Sequence, residues 1–297
     1  MNRFLIALIA CVMSAFLGFA EVQPQSVARA PKPINLEQLN TDKDEDDPFS
    51  ASDGLQLYYT SNANGKADIL LSTRKSRSQP WPPGKPLDGY IQTKVDDRSL
   101  FLTPEGRYPQ YLFFATRKDD MQDANFDIYV AVRQTRRAEF TVPTPVNAVC
   151  TKFDELHPWL SSDGRQLYFS RKTEEGWRVF VSSRSKVSGA GGFGEAKPVA
   201  LPVGFHHATL SPNGATMYLQ GPLDKNRWGL FRTTRTTSGW AKPEPLTDLN
   251  DPDAPTGDRS PCLNWDGSLL YFASDRPGGK GGLDIWVVAT ADLNKKP

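Results

Sequence analysis

Apolar and polar positions along this chain follow one scheme, again and again. A short apolar run ends in a turn dipeptide. A second run rich in Tyr, Phe, Leu and Val follows, then a polar or Gly-rich loop, then a third run. The stretch 258–288, DRSPCLNWDGSLLYFASDRPGGKGGLDIWVV, shows the scheme most plainly. The turn dipeptides are Asp53-Gly54, Glu105-Gly106, Asp163-Gly164, Asn213-Gly214 and Asp266-Gly267, with glycines 52, 58, 50 and 53 residues apart. Asp-Gly and Asn-Gly favour hairpins because glycine reaches positive φ without a steric penalty. Each turn precedes a β run (LQLYYTS, YLFFAT, QLYFSR, TMYLQG, SLLYFASD), and a second follows (DILLST, DIYVAV, RVFVSS, GLFRTT, DIWVVA). An aromatic residue and a Pro-hydrophobic pair then close four of the units: Trp81 with Pro86-Leu87, Phe140 with Pro145-Val146, Phe193 with Pro198-Val199 and Trp240 with Pro245-Leu246.

Four short strands per unit of about 50 residues, with no helical period after residue 40, predict an all-β fold. Repetition at this spacing predicts a single five-bladed β-propeller of four-stranded antiparallel blades. Stacking around an axis buries the two apolar faces that one such sheet leaves open. The fifth unit lacks its outer strand, whereas PKPINLEQLNT near the N-terminus resembles one. Residues 33–41 are therefore expected to complete the last blade and close the ring. The domain reading is a signal peptide at 1–20, a flexible Pro-containing linker at 21–32, the propeller at 33–292 and a short tail at 293–297.

The pattern S/P-x-D-G-x-x-L-Y-F-x-S…G-G-x-G-G-x-D-I-W/Y-V resembles the WD-like, TolB-type propeller repeats of exported bacterial proteins. It is nearest at 258–288 and at 154–171, DELHPWLSSDGRQLYFSR, and weaker in the fourth unit, where Asn213 replaces Asp. The resemblance implies fold and envelope location rather than chemistry, because one fold hosts many functions.

Composition adds bounds. Of 297 residues, 38% are apolar and the net charge is +1, which suits a globular core and does not suggest a nucleic-acid partner. Arg3, the apolar run to Ala20 and the small residues at 18–20 read as a cleaved export signal. Export implies a periplasmic or extracellular protein with no membrane span after cleavage. LIAC at 8–11 offers a lipoprotein reading through Cys11 as the alternative. Cys150 and Cys262 fall at non-equivalent positions of non-adjacent units, which argues against a bridge.

Candidate chemistry gathers in the loops that lead into the inner strands. They carry 12 acidic and five basic residues in a chain that is otherwise near neutral. Nine residues before each turn glycine stand Glu45, Asp97, Glu155, Phe205 and Asp258; seven before stand Asp47, Ser99, His157, His207 and Ser260. Strand alternation would aim both sets at the axis. Glu45, Asp47, Asp97, Glu155, His157, His207 and Asp258 are the candidate ligand-binding residues. No motif demands a cofactor. Clustered carboxylates suit Ca²⁺, and the two histidines with a carboxylate suit a transition metal. GAGGFG at 189–194 fits a phosphate-loop pattern but lies between strands and opens no helix. Asp68, Asp127 and Asp284, each starting a third strand, read as blade-stabilising, with Arg276 pairing locally to such an acid.

No nucleophile elbow or zinc-protease motif occurs. The expectation is a non-catalytic, monomeric envelope scaffold that binds a protein, peptide or glycan on the acidic channel-mouth face. The alternative is a propeller-based glycan hydrolase or lyase using channel carboxylates.

Overall fold

The computed structural model describes residues 32–294 apart from 88, 108, 118–120, 122–123 and 188. The signal segment, Cys11, most of the linker and residues 295–297 lie outside the described residues. Strand β1 is Ile34–Asn35. Blade 1 holds β2 (Glu45–Ser50), β3 (Gln56–Ser61), β4 (Asp68–Thr73) and β5 (Lys85–Pro86). Blade 2 holds β6 (Asp97–Leu102), β7 (Gln110–Arg117), β8 (Phe126–Arg133) and β9 (Thr144–Pro145). Blade 3 holds β10 (Glu155–Leu160), β11 (Gln166–Thr173), β12 (Gly176–Ser183) and β13 (Lys197–Pro198). Blade 4 holds β14 (His206–Leu210), β15 (Thr216–Pro222), β16 (Trp228–Thr236), β17 (Gly239–Trp240) and β18 (Glu244–Pro245). Blade 5 holds β19 (Asp258–Leu263), β20 (Leu269–Ser274) and β21 (Asp284–Ala289). Every pairing within a blade is antiparallel, and each blade follows chain order from inner to outer strand.

The ring closes as the missing outer strand requires. β1 pairs antiparallel with β21, Ile34 opposite Val287 and Asn35 opposite Trp286. Beyond this two-residue strand, Asn40 imitates one more rung: Ile285 N–H donates to its Oδ1 at 2.8 Å, and its Nδ2 donates to Ile285 C=O at 3.2 Å. The chain then runs directly into blade 1.

All five turn glycines take positive φ, from +66° to +82°. In blades 1, 3 and 4 an arginine at the end of the third strand donates from Nε to the turn-glycine carbonyl: Arg74 to Gly54, Arg184 to Gly164 and Arg235 to Gly214. The same guanidinium stacks over the aromatic residue that precedes the outer strand, on Trp81, Phe193 and Trp240; Arg133 covers Phe140 likewise in blade 2. One side chain thus ties the inner turn to the outer edge, through a charge-assisted hydrogen bond and a cation–π contact. Arg184 also holds the Gly-rich hairpin, donating to the carbonyls of Gly189 and Gly191.

The axis is plugged by aromatic rings. Phe49, Phe101 and Trp159, from the inner strands of blades 1, 2 and 3, meet edge to face at 5.2, 5.1 and 6.4 Å. Such pairs each add about 0.5–1.5 kcal/mol beyond burial. Any axial chemistry is therefore confined to the mouth above this plug.

Candidate functional site

The inner strands do not alternate simply. In each blade the pairing of first and second strands slips by one residue, between Asp46 and Phe49, Arg98 and Phe101, Leu156 and Trp159, His206 and Thr209, and Arg259 and Cys262. The extra residue is a β-bulge. Within it Asp47, Ser99, His157, His207 and Ser260 all have positive φ, from +48° to +55°. For a residue with a Cβ this conformation costs roughly 1–2 kcal/mol, and it is held only where surroundings enforce it. Side chains of the preceding blade do so at three seams by accepting the bulge amide: Thr60 Oγ1 from Ser99, Ser170 Oγ from His207 and Gln220 Oε1 from Ser260. Bulges re-aim side chains, and here they separate the two candidate sets.

The acids nine residues before the glycine turn back into their own lead-in loops. Glu45 accepts from Thr41 N and Oγ1 at 2.7 and 2.9 Å and from Ser61 Oγ at 2.8 Å. Asp97 accepts from Thr93 N and Oγ1 at 2.7 and 3.0 Å. Glu155 accepts from Thr151 N and Oγ1 and from Arg171 Nε, at 3.0, 2.6 and 2.7 Å. Asp258 accepts from Asp251 N at 2.8 Å and from Arg276 Nη2 at 2.6 Å. All four residues are fully buried. Burial raises the pKa of Glu45, Asp97 and Glu155, opposed by the threonine donors. These carboxylates are loop clamps, and a soluble ligand does not reach them. Phe205 fills the fourth position and packs edge-on against Phe231 at 5.0 Å. Arg276 pairs with Asp258 rather than with the third-strand acid Asp284 that the sequence suggested. Asp284 instead accepts from Lys280 N and from Asn35 Nδ2.

The bulge residues gather at the axis. Asp47 Oδ1 lies 3.4 Å from His157 Nε2 and 3.8 Å from His207 Nδ1. The two imidazoles stack at 3.7 Å between centroids. Asp47 Oδ2 accepts from Thr60 Oγ1 at 3.1 Å and faces Arg98 at 3.9 Å. Burial alone would raise Asp47, but the hydrogen bond and charge of His157, with His207 and Arg98, hold its carboxyl well below the usual range. Burial also drives His207 well below the ordinary imidazole value.

One residue before each bulge stands a second ring that the sequence reading did not single out: Asp46, Arg98, Leu156, His206 and Arg259. Asp46 is partly exposed, and Arg98 and Arg259 flank it from the neighbouring blades. Burial and the adjacent Asp47 raise its pKa, opposed by Arg98, a hydrogen bond from Ser260, and Arg259. His206 donates from Nδ1 to Gly204 C=O at 3.0 Å. It stacks on Trp177 at 5.1 Å and meets Trp228 edge-on at 5.0 Å. A carboxylate, two guanidinium groups and two partly exposed indoles thus converge on this mouth. Below the triad the axial cavity measures only about 20 Å³. A wider groove of about 700 Å³ opens on the other side of the aromatic plug, lined by Trp159, Asp163, Arg235 and Trp265 among others; the acids and histidines of the mouth do not line it. Cys150 and Cys262 are free thiols. Among the described residues no helix is long and apolar enough to cross a membrane.

No protein-family model matches the chain, and no curated protein matches it in sequence. Solved structures do share its fold. The catalytic domain of a Coprinopsis cinerea GH62 α-L-arabinofuranosidase superposes with a TM-score of 0.60 at 10% identity, over 88% of this chain and 97% of that one. An endo-1,4-β-xylanase from Bacteroides thetaiotaomicron gives 0.54 at 14% identity, over 86% and 92%. TolB from Acinetobacter baumannii gives 0.48 at 13% identity, over 83% of this chain and 55% of that one, too low to carry the TolB-type resemblance further. The expectation of a non-catalytic scaffold is corrected here: the structures that share the whole ring at the higher scores are glycoside hydrolases.

Proposed function

We propose that this protein is a glycoside hydrolase acting on a plant-type or envelope polysaccharide at the axial mouth of the lead-in face. The observation that carries the reading is the placement of Asp46. It is the partly exposed carboxylate at the axis, set between Arg98 and Arg259 and beside the buried Asp47, whose pKa is held down by His157, His207 and Arg98. Glycosidic cleavage needs a protonated acid to meet the leaving oxygen and a second carboxylate that stays charged. Environments that push two neighbouring acids apart assign those roles: burial and the adjacent Asp47 raise Asp46, which suits it to the acid role, whereas His157, His207 and Arg98 lower Asp47. Trp177 and Trp228 offer indole surface for sugar rings, and Arg98 and Arg259 offer donors for hydroxyl groups. The hydrolases that share the ring support the same reading, and the export-signal pattern at 1–20 is compatible with a polysaccharide substrate met outside the cytoplasm.

The test is release of reducing ends from a panel of arabinoxylan, arabinan, xylan and peptidoglycan. Wild-type protein is expected to cleave at least one of them. Asp46→Asn is expected to lower turnover by about 10²–10⁴-fold, the usual share of a general acid, with little change in melting temperature. No cleavage across the panel, or full activity in Asp46→Asn, overturns the reading.

A further inference from the structure

Three of the five bulge residues form a cluster of another kind. Asp47, His157 and His207 come from blades 1, 3 and 4, and their ligating atoms all lie within 4.8 Å of one another. His207 is 8% exposed, and its Nδ1 is buried without a hydrogen-bond partner. Ser99, 4% exposed, lines the same small cavity and its Oγ is likewise unpartnered. A buried polar atom left unsatisfied costs about 1–3 kcal/mol. Two of them beside a carboxylate, in a ring of five residues held in an unfavourable backbone conformation, mark a site shaped to hold a ligand.

We propose that this axial triad binds one divalent transition cation of the zinc class, through Asp47 Oδ1, His157 Nε2 and His207 Nδ1. Ligands about 2.0–2.1 Å from a metal stand roughly 3.0–3.4 Å apart in octahedral or tetrahedral arrangements. The carboxylate-to-nitrogen spacings of 3.4 and 3.8 Å need a closure of a few tenths of an ångström, and the two imidazoles, stacked with 18° between their planes, swing apart so that both in-plane lone pairs meet the ion. His157 has the outer support that a metal-bound imidazole requires. Its Nδ1 lies 2.9 Å from Ser170 Oγ, and donation there frees the Nε2 lone pair for the ion once Nε2 gives up its proton and its hydrogen bond to Asp47. Two nitrogens with one oxygen favour zinc, cobalt or nickel over calcium, which takes six to eight oxygens. The cavity of about 20 Å³ admits an ion or one water and excludes any organic ligand. Ser99 Oγ or a water is available as a further donor.

The triad shares Asp47 with the proposed hydrolase site, so its test reads metal binding rather than turnover. The purified full chain is stripped with a chelator and titrated at neutral pH with Zn²⁺, Co²⁺ and Ca²⁺ by calorimetry. One equivalent of Zn²⁺ is expected to bind. His157→Gln and His207→Gln are each expected to weaken it at least ~100-fold, the upper end of what loss of a mere supporting residue does. X-ray absorption on zinc-loaded wild type, which needs no variant to fold, is expected to show two imidazoles per ion. Absence of zinc binding, unchanged affinity in both folded variants, a spectrum without two imidazoles, or preference for Ca²⁺ overturns the proposal. None of these outcomes depends on whether a polysaccharide is cleaved.

Discussion

Replacing Arg276 tests the claim that the repeated acids are structural clamps. Its guanidinium is 6% exposed and donates to Asp258 Oδ1 at 2.6 Å, Leu249 C=O at 3.0 Å and Ser274 Oγ at 3.0 Å. It also lies 4.8 Å from the Phe272 ring centre and 5.4 Å from that of Trp286. Arg276→Met keeps much of the apolar stem but leaves Asp258 fully buried, with the Asp251 amide as its remaining close donor. Breaking a buried pair from one side costs about 3–5 kcal/mol, because the surviving charge cannot reach water. At roughly 2–4 °C per kcal/mol for a domain of this size, the melting temperature should fall by about 6–20 °C. Removing both charges in Arg276→Met/Asp258→Asn should restore most of that loss, since the amide still accepts from Asp251 and no lone charge remains. Equilibrium urea unfolding followed by tryptophan fluorescence gives the four free energies of the cycle. A single variant within about 1 kcal/mol of wild type, or a double variant no more stable than Arg276→Met, refutes the clamp argument.

Three further outcomes follow from the same geometry. Ser99→Gly relieves a positive φ without losing a hydroxyl hydrogen bond, so in metal-free buffer it should gain about 0.5–1 kcal/mol, after the extra backbone entropy of glycine is subtracted; differential scanning fluorimetry should show a rise of a few degrees. Asn40→Ala removes the side-chain rung at the ring seam and should destabilise by about 1–3 kcal/mol in urea titration, with early loss of amide protection at Ile285. Burial pushes the Cys150 and Cys262 thiols up to about 12, so neither should react quickly with a thiol reagent at pH 8 until denaturant is added; fast labelling of the native protein would contradict their placement.

The architecture was legible because its signals are local. Gly54, Gly106, Gly164, Gly214 and Gly267 announce the hairpins one blade at a time, and PKPINLEQLNT names the strand that the last blade lacks. The mouth was harder to read for two physical reasons. Simple alternation put Glu45 and Asp47 on one side, but each inner strand carries a bulge at a residue that is not glycine. No composition signal marks Asp47, Ser99 or His157 as left-handed. The site also draws single residues from blades about fifty positions apart, so Asp46, Arg98, His206 and Arg259 share no linear motif. One further signal lies in the lead-in loops. The repeated spacing Thr41–Glu45, Thr93–Asp97 and Thr151–Glu155 places a donor four residues before each acid. That is the signature of a carboxylate satisfied by its own loop. Proximity in sequence points Arg276 to a local third-strand acid, whereas the ladder brings it to Asp258 on the adjacent inner strand.

The proposed glycan site at the lead-in mouth is most directly tested by a crystal structure of Asp46→Asn soaked with xylan- and arabinan-derived oligosaccharides. The account predicts sugar density over residue 46, bounded by Arg98, Arg259, Trp177 and Trp228. Density confined to the opposite groove, against Trp159 and Trp265, would contradict it.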